Sequence, residues 1–495
     1  MRRRITQREE HIFKNRLLTA GTRKAIEAFG YRELRAALRV EMKLLKVLTL
    51  LFVIVGGAFI AIAWRPSIAA VDLSSVQNFD APLVKRGAQL AALGNCTTCH
   101  TAPGGPPFAG GVALPTPFGV IYSTNITPEA ESGIGGWSEL AFRRAMREGV
   151  DREGRHLYPA FPYDHFTMLT DTDIAALYAY FMVREPVYAK APPNEVSFPL
   201  NFRPLIAAWK LLFLHAGPYW PDPEQSDAWN RGAYLVEGLA HCGGCHTPRN
   251  TFGAEKSRRK FAGGDAEGWT AYALDGSSPA PVPWDAEALQ IYLRSGWHDH
   301  HGLARGPMAP IIDSLTEAAS AQDLQAMTVY LMGFLGEPGA ERRRAGQSRI
   351  DRVRIPPSLE SQTVGQGGTS QDAVDGEKIY QATCASCHEG HARGPFGGID
   401  LSLSTGPSGP DARNVLNVVL WGLPPAEGVR SPSMPGFAGA LTQKQLVDLL
   451  TFVRSRFSDK PAWKQIEKDV RETLSGQRSV MVHPSPGTDL TPVSE

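Results

Sequence analysis

The pattern Cys-x-x-Cys-His occurs three times in this chain, at residues 96–100, 242–246 and 384–388, and it uses all six cysteines. This spacing is the attachment signature of c-type haem, in which two thiols form thioethers and the histidine binds the iron. Zinc sites usually need two Cys-x-x-Cys units close together, but these copies lie more than a hundred residues apart. Thioredoxin-like pairs and disulfides are the other interpretations. The sequence therefore predicts three covalent haems, attached through Cys96, Cys99, Cys242, Cys245, Cys384 and Cys387, with His100, His246 and His388 on the iron.

An uncharged apolar run at residues 47–64 is 18 residues long, which is enough for a membrane-spanning helix. Five basic residues fall in the twenty positions before it and only Arg65 in the twenty after it. The positive-inside rule then leaves residues 1–46 as a basic cytoplasmic segment and sends the rest of the chain to the periplasm. A cleaved signal peptide ending at Ala61-Ile62-Ala63 is the alternative, but the run is longer than a usual signal core. Met42 is a candidate for the true translation start.

Three further signals repeat with the haem motifs. A glycine with an apolar residue three positions later precedes each motif, and a Phe-x-Gly-Gly turn follows it, shortened at 396–398. Each copy closes with an apolar residue and an aromatic six positions apart. Glycines on one helix and aromatics on another suit a close helix crossing. The predicted fold is therefore all-α, with three cytochrome c-type haem domains in tandem behind the N-terminal transmembrane helix.

The predicted domains span residues 80–190, 222–336 and 371–458. Residues 191–221 form a connector whose apolar stretch, 205–214, is too short to cross a membrane. This stretch either packs the first two domains together or contacts a membrane surface or a partner. Residues 337–370 form a linker rich in arginine, either solvated or in contact with anionic lipid or a partner. Residues 459–495 form a tail that we expect to be largely disordered.

Methionine thioether is a common sixth ligand of haem iron. Met308 and Met434 each lie in a proline-containing loop before the closing helix of their domain, so we predict that they ligate the second and third irons. The corresponding loop of the first domain carries Phe161, which cannot bind iron. His165 on the same loop is the preferred ligand of the first iron, Met168 is the alternative, and an open site is the third option.

The region from about 80 to 455 resembles the tri-haem cytochrome c subunit of bacterial membrane-bound dehydrogenases. The haem motifs carry the resemblance together with the stretches 122–128, 157–163, 209–213 and 306–310. The alcohol dehydrogenase branch usually has methionine where this chain has Phe161, and residues 161–166 with 300–302 are more similar to the molybdenum hydroxylase branch. The resemblance implies a catalytic dehydrogenase or molybdenum hydroxylase subunit as electron donor and ubiquinone or a terminal oxidase as acceptor.

Other functions find less support in the sequence. The net charge of +1 gives no indication of a nucleic-acid partner, and no dinucleotide-binding glycine fingerprint occurs in a strand–helix setting. His298, His300 and His301 could suggest a metal site, but we interpret them as a solvated loop near the second haem. The competing function is a haem enzyme, such as a cytochrome c peroxidase, with an open haem in the first domain. A haem-based gas or redox sensor is a third hypothesis.

Overall fold

The computed structural model describes residues 20–72, 78–354, 371–389, 398–424 and 433–476. They divide into two compact units, Met1–Arg65 and Pro66–Glu495. The first unit contains a single described helix, α1 (Ala20–Ala63, 44 residues). Its segment Glu41–Ala63 is long and apolar enough to cross a membrane, with a mean hydropathy of 2.5 and no burial against protein. The helix begins well before the predicted apolar run because the preceding residues are strong helix formers such as alanine, glutamate, leucine and arginine.

The first part of the second unit is helix-rich and contains one small sheet. Its helices are α2 (Ala81–Leu93), α3 (Cys96–His100), α4 (Glu139–Glu148), α5 (Tyr163–Phe166), α6 (Asp171–Met182) and α7 (Leu205–Phe213). Strands β1 (Ala113–Thr116), β2 (Gly119–Tyr122) and β3 (Glu195–Val196) form an antiparallel sheet in the order β1-β2-β3. Ser138 and Thr170 cap the N-termini of α4 and α6, since each side chain accepts a backbone N–H three residues later.

The middle part repeats the same succession. Its helices are α8 (Asp227–Ala233), which continues as a π-helical segment (Tyr234–Leu239), α9 (Gly243–His246), α10 (Ala286–Ser295), α11 (Met308–Ala318) and α12 (Ala321–Leu335). Two antiparallel pairs accompany them, β4 (Gly264–Ala266) with β5 (Trp269–Ala271) and β6 (Trp297–His298) with β7 (Gly302–Leu303). The all-α prediction thus missed short strands, which are too brief to give an alternating pattern.

The last part begins with a helix in the predicted linker. Its helices are α13 (Ala340–Arg354), α14 (Gln371–Thr383), α15 (Ala385–His388), α16 (Thr405–Ser408), α17 (Arg413–Trp421), α18 (Gln443–Phe457) and α19 (Ile466–Leu474). Two linker arginines have structural partners, because Arg342 donates to the carbonyl of Ser278 and Arg349 donates to that of Ser402. Helix α13 therefore bridges the middle and last parts, where the sequence favoured a solvated segment.

The predicted tail also differs in its first half. Trp463, Ile466 and Val470 are buried in the core of the last part, so the folded region extends beyond 458 to α19. The amphipathic pattern of 466–474 was obscured by the many charged residues on its outer face. Residues 477–495 lie outside the described residues, as does most of the predicted turn at 396–398.

The same close helix crossing occurs in each of the three parts. A Cβ added to the glycine in the helix before the haem motif would lie only 1.9, 2.0 and 2.1 Å from a backbone carbonyl of the closing helix. The three contacts are Gly87 with Ala176, Gly232 with Ala326 and Gly376 with Asp448. Only glycine permits this approach, since any side chain would push the helices apart. The predicted glycine–aromatic crossing is confirmed, because the aromatic four residues after each carbonyl touches the same glycine.

The apolar core does not follow the predicted domain boundaries. One continuous cluster of buried side chains runs from Leu90 to Leu335 and includes both the first and the middle parts. A separate cluster, from Tyr380 to Val470, forms the core of the last part. The first two parts are therefore joined by apolar packing, and Cys96 and Cys242 of their two haem motifs pack against the same cluster.

Candidate haem sites

The three motif histidines have the same environment. In each, the ring Nδ1 lies 2.7 Å from a backbone carbonyl oxygen. The pairs are His100 with Thr124, His246 with Tyr272 and His388 with Ile399. A carbonyl only accepts, so Nδ1 must carry the hydrogen and Nε2 keeps the lone pair that binds a metal. This partner also fixes the ring plane, as metal-ligating histidines require.

Burial keeps the first two of these histidines neutral. Removal from water lowers the pKa of His100 and of His246, while the hydrogen bond to the carbonyl opposes this effect only in part. A neutral imidazole is the form that ligates iron. The two residues are thus prepared as ligands near neutral pH.

Each motif begins at the end of the helix that carries the crossing glycine. In the first copy, α2 ends at Leu93 and Asn95 adopts a left-handed conformation with a φ of 51°. Asparagine tolerates this backbone better than most residues. The reversal starts the short helix α3, which brings Cys96, Cys99 and His100 onto one turn. His241, with a φ of 39°, makes the equivalent reversal before the second motif.

The cysteines fit covalent attachment to haem. All six are among the described residues, and none is bonded to another cysteine. Among the described residues, no group of three or more histidine, cysteine and acidic side chains is arranged to hold a metal ion. Burial raises the pKa of Cys96 and of Cys242 to about 12. Paired thiols next to a histidine with a free Nε2 fit the attachment and ligation of haem c.

The loop after α4 and the loop after α10 have the same backbone pattern. Each helix ends in a left-handed glycine, Gly149 or Gly296, whose carbonyl accepts the N–H of the residue eight positions later. Counting four more positions from that residue reaches Phe161 in the first loop and Met308 in the second. Phe161 therefore occupies the position of a methionine, as the comparison of the two loop sequences predicted.

Met308 and Met434 both lie against the apolar cores of their domains while remaining partly exposed. Met434 forms two backbone hydrogen bonds of 2.8 Å each with Leu423. Leu423 directly follows the glycine that ends α17. A half-buried thioether held by the backbone, at the start of α11 or beside Leu423, suits an axial ligand. Their role as ligands of the second and third irons stays a prediction.

The preferred ligand of the first iron has other partners. His165 Nδ1 lies 2.6 Å from the carbonyl oxygen of Glu237, and Nε2 lies 2.8 Å from Oε1 of Glu255. Burial lowers the pKa of His165, but the hydrogen bond to Glu255 and the charge of Asp164 outweigh it and raise the pKa to about 9. A protonated ring has no lone pair for iron. These contacts count against the prediction that His165 is the distal ligand.

Met168 also faces the middle part of the chain. A Cβ added to Gly238 in the π-helical segment would lie 3.4 Å from the Cβ of Met168, and the Met168 carbonyl accepts the N–H of Tyr219. Met168 therefore packs at the joint between the first two parts. Its role as the alternative ligand stays a prediction, and so does the open site.

The sequence could not reveal the residues that complete these sites. The carbonyls of Thr124, Tyr272 and Ile399 act through the backbone, so their side chains give no signal. Glu237 and Glu255 are far from His165 along the chain, and only the packing of the first part on the second brings them together. Thr124 is the one exception, because it falls within the stretch 122–128 that carried the family resemblance.

Neighbouring sites approach each other closely. A Cβ added to Gly94, just before the first motif, would lie 3.2 Å from Cδ1 of Leu239, just before the second motif. Between the middle and last parts, a Cβ added to Gly302 would lie 4.0 Å from Cδ1 of Ile399. The carbonyl of Ile399 orients His388. The first two motifs are thus close in space, and the loop after α10 reaches the residue whose carbonyl orients His388.

The three histidines near the second site are packed and not arranged as a metal centre. His301 is buried and stacks on Trp284 with a centroid distance of 3.6 Å and an interplanar angle of 10°. Burial lowers the pKa of His301 to about 3. His298 and His300 contact each other edge to face. Their interpretation as a solvated loop was wrong for His301, because its ring forms part of the loop's core.

These geometries define a cytochrome c. A family model described as cytochrome c matches residues 84–183, and one described as cytochrome c oxidase, cbb3-type, subunit III, matches residues 371–453. The chain is 33% identical to the fructose dehydrogenase cytochrome subunit of Gluconobacter japonicus, over 81% of this chain and 84% of that protein. It is 34% identical to the gluconate 2-dehydrogenase cytochrome c subunit of Pantoea cypripedii, over 81% and 91%.

The chain belongs to the family of cytochrome c subunits of dehydrogenase complexes, and it is an electron-transfer protein. It is also 43% identical to a nicotinate dehydrogenase subunit of Pseudomonas putida, over 82% of this chain. The chain spans only 33% of the length of that relative. The family supports electron transfer and gives no support to the peroxidase alternative.

Proposed function

We propose that this chain carries three c-type haems and passes electrons from a catalytic dehydrogenase or molybdenum hydroxylase subunit to ubiquinone or a terminal oxidase. The observation that supports this most directly is the threefold repeat of one histidine–carbonyl contact of 2.7 Å beside a pair of free thiols. Bound haem would supply a one-electron carrier at each of the three sites. The chain's own residues orient the ligands and shield the sites from water.

The three proposed domains follow the three helix crossings, with residues 80–190, 222–336 and 371 to the end of α19. The shared core of the first two supports a fixed spacing between their haem sites. The third is joined through polar contacts, among them the hydrogen bonds of Asn414 with the backbone of Thr270. This arrangement supports a linear order of transfer through the first, second and third sites.

The axial ligands complete the proposal. Met308 and Met434 supply thioethers to the second and third irons, where they favour the ferrous state. At the first iron, the two hydrogen bonds of His165 count against His165 as the distal ligand. The remaining options are Met168 and an open distal position next to Phe161. Carbon monoxide binding to the reduced protein distinguishes them, since a six-coordinate haem binds it slowly and an open one binds it at once.

We place the haem domains in the periplasm, behind an uncleaved helix at 47–64. The apolar span Glu41–Ala63 and the excess of basic residues before it support this orientation. The relatives serve dehydrogenases of different substrates, so the donor is assigned only as a catalytic dehydrogenase subunit. Purification of the native complex from membranes, with mass spectrometry of its components, identifies the donor.

The haem count has a direct test in the full chain. Replacing Cys387 with serine should reduce the covalent haem content from three per chain to two, measured from the absorbance of the pyridine complex and the intact mass. Replacing Ser386, which lies exposed between the two cysteines of the third motif, with alanine is the matched control and should leave three. A haem content of two in the unmodified chain would contradict the proposal.

A further inference from the structure

Large apolar side chains are exposed around helix α7. Phe198, Phe202, Leu211, Leu212 and Phe252 are between 54% and 84% exposed. Together they form what we call the phenylalanine–leucine face. The exposed residues of α7 are all apolar, because its only charged residue, Lys210, is buried. Contiguous apolar surface of this kind marks a site of contact with a protein or a membrane.

The face is continuous across three segments of the chain. The rings of Phe213 and Phe252 are 6.1 Å apart, and the indole N–H of Trp209 donates to the carbonyl of Phe252 at 2.9 Å. On the other side, a Cβ added to Gly253 would lie 3.0 Å from the ring of Phe118, whose carbonyl accepts the N–H of Ser197. The exposed side chains therefore belong to one surface and not to separate loops.

This surface is rigidly supported from below. The ammonium group of Lys210 donates to the carbonyls of Glu148 and Gly149, at 2.5 and 2.6 Å, where α4 ends. A cation at the C-terminus of a helix is favourable because of the helix dipole. Helix α7 is thus fastened to the first part through Lys210 and to the second through Trp209. Its leucines remain outward because the inner side of the helix is already occupied.

A basic segment follows the face directly. Lys256, Arg258 and Arg259 are exposed, and they begin four residues after Phe252, so the first of them lies within about 14 Å of that ring's backbone. Leucine and phenylalanine beside exposed lysine and arginine are typical of surfaces that lie on anionic lipid. The apolar side chains enter the headgroup region while the cations contact lipid phosphates.

We propose that the phenylalanine–leucine face and the basic segment 256–259 rest on the surface of an anionic phospholipid bilayer. The inference deepens the proposed membrane location and rests on it. The haem-bearing unit begins at Pro66, directly after the candidate spanning helix, so the chain is tethered where a bilayer is always near. Tethering raises the local concentration of lipid surface, so even a face with low intrinsic affinity for lipid would be in contact with the bilayer. Contact at this face would hold the first two haem sites at a fixed orientation to the membrane.

Photo-crosslinking in the full chain tests the contact. Leu212 is replaced by the photo-reactive residue p-benzoylphenylalanine, and the protein is reconstituted in vesicles of phosphatidylethanolamine and phosphatidylglycerol. Leu474, an exposed leucine on α19 in the last part, receives the same substitution as the matched control. We expect lipid adducts by mass spectrometry at position 212 and none at 474. Equal adduct yields at the two positions, or no adduct at 212, would overturn the proposal.

The same substitution in native membranes separates lipid from protein as the occupant. A protein adduct at position 212, in place of lipid, would show that the face binds the dehydrogenase subunit or another chain and would overturn the proposal. The readout is independent of electron transfer, so an error in the proposed electron donor or acceptor leaves it unaffected. Proteolysis of intact cells or spheroplasts tests the membrane location separately.

Charge reversal tests the basic segment. The triple variant Lys256→Glu, Arg258→Glu and Arg259→Glu changes exposed side chains, and its covalent haem content checks that it folds. Each basic residue near an anionic bilayer changes binding by about fivefold. The lipid-adduct yield at 212 should therefore fall by roughly tenfold or more in vesicles with phosphatidylglycerol. Yields should be equal for the two proteins in phosphatidylcholine alone, and an unchanged yield in both membranes would refute the role of these charges.

Discussion

The helix crossing at Gly232 makes a quantitative prediction about stability. A Cβ at this position would lie 2.0 Å from the carbonyl oxygen of Ala326 and 2.7 Å from the Cβ of Tyr330. The helices would have to separate by about 1 Å, since a contact below about 3 Å is not tolerated, and a backbone carbonyl cannot rotate away. Overpacking costs about 1–3 kcal/mol, and the higher helix propensity of alanine offsets about 1 kcal/mol. We therefore expect Gly232→Ala to lower the free energy of unfolding by about 1 kcal/mol, the middle of the range that these two effects leave.

Gly333 provides a control within the same pair of helices. It lies on α12, and a Cβ there would meet nothing closer than Nε1 of Trp229, at 3.9 Å. Gly333→Ala should therefore stabilise the protein by up to about 1 kcal/mol through helix propensity alone. The two variants are compared by denaturant unfolding of the holoprotein, followed by haem absorbance. The shift in midpoint reports the change in stability as long as the dependence of the unfolding free energy on denaturant concentration is the same. If Gly232→Ala is as stable as Gly333→Ala, the close crossing inferred for the middle part is wrong.

Three further predictions concern ligation, pH and the joint with the last part. In a Met168→Leu background, Phe161→Met supplies the only thioether near the first distal position, so the near-infrared sulfur–iron band of the oxidised protein should be about half as large again as that of Met168→Leu alone; equal bands in the two proteins would contradict the equivalence of the distal loops. The folded-state pKa of His165 is raised to about 9, so the stability from its pair with Glu255 is present below about pH 6.5 and lost as pH rises through 9. Thermal melts should show this decline, and Glu255→Gln should remove it. Arg413→Met leaves the partly buried Asp411 without its cation and should destabilise the last part by about 1–3 kcal/mol, measured by calorimetry; no change in its transition would refute the contact.

The haem motifs and helix crossings could be predicted because they depend on residue identity at fixed spacing. Gly87, Gly232 and Gly376 stand at nearly the same distance before their motifs, and only glycine fits the observed approach of the helices. Helices α4 and α10 each end in a left-handed glycine, Gly149 or Gly296, which is likewise a signal of residue type. The motifs and the caps are local, and each crossing, although it joins distant helices, is marked by the identity of one glycine.

Features that depend on packing between domains could not be predicted. His165 was preferred because it lies on the same loop as Phe161, but Glu255, 90 residues away, contacts its Nε2. The arginines of α13 resembled a solvated linker because their acceptors are backbone carbonyls, which leave no trace in the sequence. Burial of α19 was missed for a related reason, since Trp463 finds its partner in the carbonyl of Gly409.

The three candidate haem sites share the same helix crossing and the same histidine–carbonyl contact, so differences between them must come from other residues. The contact that orients the motif histidine is 2.7 Å in every copy, so this hydrogen bond gives no reason for the three haem potentials to differ. The distal loop has the same backbone course in the first two parts but presents Phe161 in one and Met308 in the other. Ligand identity and burial are the main determinants of potential. A gradient along the chain therefore depends on the distal residues, and the first site, which has phenylalanine in the place of methionine, is the one expected to differ most from the others.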